Sequence, residues 1–222
     1  MTTSAHRPGR CVALRPVRER GGAALERAAP RRAPHDHHLL FAPEPALGYL
    51  RALIAELGLE KLITSVEFPP WESLAKSARQ RIRDSGPFVR IHCVLEWDGR
   101  DAERLRSDWE LFAEELFVEA GVRPRLICCR PVFELWILLH YESVSASCDE
   151  GSWIRERVGG ECSAEGLFAR TSASLGIAVR RAQELARMRY AIDGDDTFPA
   201  TPGTHLHELI VSWHKLARRV IV

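Results

Sequence analysis

The segment Phe88-Val89-Arg90-Ile91-His92-Cys93-Val94-Leu95 decides the fold. It is nearly continuous in apolar residues and lacks the strict alternation of a half-exposed strand. It therefore reads as a strand covered on both faces, the condition of a parallel sheet layered between helices. Downstream, Leu105, Trp109, Phe112 and Leu116 recur at helical spacing up to Gly121. Arg125 to Cys129 then reads as a strand and Phe133 to His140 as an apolar helix. Upstream, Leu62-Ile63-Thr64-Ser65-Val66 is strand-like. Pro69-Pro70 opens a helix whose face carries Trp71, Leu74, Ala78 and Ile82, closed by Ser85-Gly86-Pro87. Before it, the strand His38 to Ala42 is ended by Pro43 and Pro45. A helix follows through Leu47, Leu50, Ile54 and Leu57 to Gly58.

Four strands alternating with four helices imply right-handed βαβ crossovers. The expectation is an α/β fold with a mostly parallel sheet of four strands or slightly more, flanked by helices and followed by a C-terminal helical extension. Residues 143–163 read as irregular, and two further helices are expected around Leu175 to Met188 and Leu206 to Ala217. The predicted division is a flexible Arg-rich arm over 1–34, an α/β core over 35–142 and a helical region over 143–222 packed on the core. The arm holds eight arginines against two glutamates and few regularly spaced apolar residues, too few to offset the entropy of ordering.

A chain of 222 residues with 45% apolar and 27% charged residues suits one globular domain, and its net charge of +1 names no partner. No run approaches the roughly 18 apolar residues of a membrane span, so a cytoplasmic location and no membrane partner are expected. Six cysteines include no C-x-x-C pair, and Cys93, Cys128 and Cys129 sit in apolar runs as small hydrophobes. His35-Asp36-His37-His38 reads as a solvated polar junction, and Asp193-Gly194-Asp195-Asp196 as a turn.

Chemistry is expected at the carboxyl ends of the strands. There, Glu96 and Asp98 stand two residues apart and can direct both carboxylates at one point. Two such charges about 4 Å apart repel by about 4 kcal/mol at an effective dielectric near 20, which favours a bound cation or a shared proton. Mg²⁺ matches, since it takes one or two carboxylates plus waters and phosphates. The alternative is that Asp98 caps the turn with Gly99 while Glu96 is solvated. Glu44, after the first strand, reaches the same edge, or else stabilises the following helix through its dipole by about 0.3–1 kcal/mol. Glu134 and His140 are the two polar groups in an otherwise apolar helix, and each reads either as a site residue or as a satisfied structural group.

The string Pro131-Val132-Phe133-Glu134-Leu135-Trp136-Ile137-Leu138-Leu139-His140-Tyr141 resembles the signature of the RloB family, a Phe-Glu-Leu-Trp core whose apolar run ends in His and an aromatic. Val94-Leu95-Glu96-Trp97-Asp98 is similar to that family's Asp-x-Asp strand end, and Thr204-His205-Leu206-His207-Glu208-Leu209 to its closing segment. The resemblance implies a TOPRIM-like core and a Mg²⁺- or Mn²⁺-dependent nuclease of phage defence and abortive infection. It implies nucleic acid as substrate and an AAA-type ATPase as partner. Within it, Glu96 and Asp98 are metal ligands, Glu44 is a ligand or acid/base, and Glu134 and His140 line the site. Two departures stand out: Glu96 replaces an aspartate, and the family's Cys-Glu-Gly-Glu-x-Thr-Glu survives only as Phe41-Ala42-Pro43-Glu44-Pro45-Ala46-Leu47. They motivate the alternative of a non-catalytic binding or regulatory subunit with a decayed acidic site.

Overall fold

The computed structural model describes residues 37–86, 89–97, 101–145, 150–159, 164–193 and 202–220. The expected arm, Asp98 and most of the loop from Gly194 lie outside the described residues. In chain order the elements are β1 (His37–Ala42), α1 (Ala46–Glu56), β2 (Ile63–Glu67), α2 (Trp71–Ser85), β3 (Val89–Glu96), α3 (Ala102–Ala120) and β4 (Arg125–Arg130). They continue with α4 (Glu134–Tyr141), α5 (Gly151–Val158), α6 (Ala164–Thr171), α7 (Leu175–Asp193), β5 (Gly203–Thr204) and α8 (Leu206–Val220).

The sheet order is β2-β1-β3-β4-β5, with β1 to β4 parallel and the two-residue β5 antiparallel to β4. The expected α/β architecture is thus present, extended by one short strand at the edge. Because successive strand residues face opposite sides, Leu39, Phe41, Ile91, Cys93, Leu95 and Cys128 pack with α2 and α3 on one face. Leu40, Val94, Ile127 and Cys129 pack on the other with α1 and α4 to α8. Burial pushes the Cys128 thiol up to about 12 and raises those of Cys93 and Cys129, so all three are inert packing groups. No helix among the described residues is long and apolar enough to cross a membrane.

Two corrections concern the region after residue 142. The stretch 143–163, expected to be irregular, contains α5, and α6 was not foreseen either. Each has eight residues, and α5 buries only Ile154 completely. Helices this short owe their stability to packing rather than to an intrinsic pattern, so periodicity carries little signal. A third correction concerns His38, which is buried rather than solvated. It lies inside β1 and pairs through Nδ1 with His92 Nε2 at 3.0 Å.

α4 is enclosed on all sides: Leu135 to Leu139 are each at most 2% exposed. Its one buried imidazole, His140, meets the Tyr49 hydroxyl at 3.2 Å through Nε2 and Ser174 Oγ at 3.1 Å through Nδ1. Since Ser174 donates its own proton to the Thr171 carbonyl, its oxygen accepts from His140, which therefore carries its proton on Nδ1. Burial lowers the His140 pKa to about 4. An unfolded histidine titrates near 6.5, so the unfolded chain takes up this proton first as pH falls. Stability from His140 is fully present above about pH 6.5 and drains away toward pH 4, by on the order of 3 kcal/mol. Urea unfolding at pH 7, 5.5 and 4.5 should show this loss, with a shallower pH dependence in His140→Gln. Equal dependence in the two proteins would contradict the assignment.

Candidate acidic cavity at the carboxyl ends of the strands

α1 carries the chain from β1 to β2 on one side and α2 carries it back from β2 past β1 to β3 on the other, which makes the β1/β3 boundary a topological switch point where open α/β sheets form crevices. Beyond the carboxyl end of β3 lies a cavity of about 800 Å³. It is lined by Trp71 at the start of α2, by Glu96 and Trp97, and by Asp101, Arg104 and Asp108 at the start of α3. Pro131 and Val132 after β4 and Glu150, Gly151 and Arg155 at α5 complete the lining. Four acids and two arginines in one concavity suit a charged ligand better than an apolar one.

Glu96 reaches this cavity because the parallel register sets it opposite Cys129, and the Trp97 N–H donates to the Cys129 carbonyl at 2.9 Å. Its Oε1 accepts from the backbone N–H of Phe133 at 3.3 Å, at the opening of α4. Glu134 follows at once, so the helix start brings a second carboxylate against the first. Arg155 spans the two, with Nη2 at 3.6 Å from Glu96 Oε2 and Nε at 3.5 Å from Glu134 Oε1. α5 seats closely enough for this because residue 151 is glycine: a Cβ there would meet Val132 Cγ1 at 2.9 Å. Burial, reinforced by repulsion from Glu134, raises the Glu96 pKa, while the Phe133 N–H and Arg155 oppose the shift.

The remaining sequence candidates are placed differently. Glu44 is exposed, outside the cavity lining, and its Oε2 accepts from the Gly48 N–H at 3.1 Å within the first turn of α1. His140 sits at the far end of α4 among Tyr49, Trp136 and Ser174. Asp98 lies outside the described residues. Arg155 is the functional candidate that sequence reading missed. Its only signal would have been recognition of α5 as a helix, since a lone arginine in a polar stretch carries none.

Two hard carboxylate oxygen donors fit Mg²⁺ or Mn²⁺, and Glu134 Oε2 is a buried acceptor with no hydrogen-bond partner. Among the described residues, no group of three or more histidine, cysteine, aspartate or glutamate side chains forms a ready metal cluster. Comparison of the chain with protein-family models, with curated proteins and with solved structures gives no significant match.

A carboxyl whose pKa is raised on folding contributes stability while protonated, and that stability is lost as pH rises through the raised value. Ionised Glu96 is thus a burden at neutral pH. Glu96→Gln keeps an acceptor for the Phe133 N–H and removes the repulsion with Glu134. Its thermal midpoint at pH 7 is expected to equal or exceed that of the unmodified protein. A loss above about 1 kcal/mol, the size of a typical destabilising substitution, would contradict this reading.

Proposed function

We propose that the protein is an RloB-like, TOPRIM-like nuclease of phage defence that uses Mg²⁺ or Mn²⁺ to cleave nucleic-acid phosphodiesters. The observation that carries the reading is the approach of Glu134, at the start of α4, to Glu96, which lines the polar cavity at the end of β3, with Arg155 reaching both carboxylates. The Phe133-Glu134-Leu135-Trp136 string and the acidic strand end Glu96-Trp97-Asp98 support it from the sequence.

Phosphodiester hydrolysis needs charge neutralisation at the phosphoryl oxygens and a proton acceptor for the attacking water. Glu96 and Glu134, with Asp98 by resemblance, would hold the metal, which supplies Lewis acidity and a more acidic bound water. Arg155, half exposed, can turn from the carboxylates to a phosphate oxygen, where a guanidinium forms short charge-assisted hydrogen bonds. The raised pKa of Glu96 brings its carboxyl closer to the neutral range in which proton exchange is efficient. Glu44 and His140, outside this cavity, act in helix stabilisation and packing. An AAA-type ATPase as partner follows from the resemblance.

A second reading has one observation of its own. Arg155 places a fixed cation between the two carboxylates, the position a metal would take in a catalytic site, as expected of a non-catalytic binding subunit. Metal response separates the two. Metal at ten times its dissociation constant stabilises a protein by about 1.4 kcal/mol. Millimolar Mg²⁺ or Mn²⁺ should therefore raise the melting midpoint by a few degrees, and the rise should vanish in Glu96→Gln/Glu134→Gln. The same metals should support cleavage of DNA or RNA by the unmodified protein, alone or with its partner ATPase. A midpoint indifferent to metal together with no cleavage would put the binding-subunit reading first.

A further inference from the structure

At the opposite end of the strands, where β1, β3 and β4 begin, lies a second cavity of about 520 Å³. Arg90, Arg123, Arg125, Lys215 and Arg219 line it, and among the described residues no aspartate or glutamate does. Arg125 is paired with Glu208 of α8, and the Arg123 guanidinium lies 4.0 Å over the Phe117 ring. Lys215 and Arg219, one turn apart on α8 and both exposed, pair with no carboxylate among the described residues. The start of β3 gathers these cations because Arg90 precedes the buried part of the strand and α8 crosses beside it with its basic C-terminal half.

His92 borders the same cavity and is buried, with Nε2 on His38 and its other nitrogen, Nδ1, lacking a hydrogen-bond partner. Burial, with electrostatic contributions from His38, Arg125 and Arg90, lowers its pKa to about 3, so the ring is neutral. A neutral imidazole carries one proton. With that proton on Nδ1, His92 accepts from His38 and still has a donor to offer. A buried polar atom without a partner calls for one, and here it borders the cavity that Lys215 and Arg219 also line.

We propose that this cavity binds a phosphate-bearing anion of nucleotide or oligophosphate size. Guanidinium forks and an ammonium are the recognised donors to phosphate oxygens, and apolar walls of Ile91, Val122 and Leu216 focus their field. The volume falls in the range of small-molecule sites. The cavity begins six residues before Glu96 along β3, about 20 Å from the acidic rim, and does not rest on the nuclease reading.

The test is calorimetric titration of the full chain with sodium tripolyphosphate and, separately, with a short single-stranded oligonucleotide. Tripolyphosphate is expected to bind, and Lys215→Ala/Arg219→Ala to weaken it about tenfold or more, the loss of at least one charged hydrogen bond. Arg180→Ala/Arg187→Ala removes the same charge from α7 and should change affinity by less than about twofold if the site is local. If only the oligonucleotide shows this variant pattern, the phosphate is that of a nucleic-acid backbone. Equal weakening by the two double variants, or no binding of either anion, would overturn the proposal. Both positions are exposed, and an unchanged melting curve for each variant confirms that the fold is intact.

Discussion

The enclosure of α4 governs most of this structure. An eight-residue helix is too short to persist by itself, and this one persists because its middle five side chains are buried among the sheet and α5 to α8. That enclosure leaves nowhere for a polar side chain to reach bulk water without crossing other elements. The two ends are resolved differently. At the C-terminal end His140 stays neutral and is hydrogen-bonded on both ring nitrogens, and Arg181 donates to the Leu139 carbonyl at 2.8 Å. At the N-terminal end Glu134 lies against Glu96, shares Arg155 with it and retains an unpartnered buried oxygen. One end is hydrogen-bonded throughout, and the other keeps one buried carboxylate oxygen without a hydrogen-bond partner.

Much of this was legible in the residues. The nearly continuous apolar character of β3 and the helical spacing that follows it point to a covered, parallel sheet. Strand polarity then puts Glu96 at the rim formed by the carboxyl ends of the strands. The distinction between Glu134 and His140 was not legible, because both are lone polar groups in one apolar run. Only the positions of Tyr49 and Ser174, distant in sequence, show which of them is satisfied. Glu44 reads equally well as a site acid or a helix-start acid, and its contact with Gly48 is the helix-start arrangement. Arg155 was illegible because α5 is held by a tight Gly151 contact rather than by periodicity. His38 was misread because a run of polar residues at a strand start gives no sign of a partner, His92, 54 residues away.

The sheet therefore separates charge along its length. Carboxylates gather where β3 ends, and arginines and lysine gather where it begins, while an apolar layer covers each face of the sheet.

The central claim is that Glu96 and Glu134 are held against each other in a partly desolvated site. The most direct measurement is the titration of the Glu96 carboxyl carbon by NMR in the unmodified protein and in Glu134→Gln. The account predicts a Glu96 pKa above that of an ordinary glutamate, falling toward it when Glu134 loses its charge, with burial sustaining the rest of the shift. An ordinary value in the unmodified protein, or one indifferent to Glu134→Gln, would contradict it.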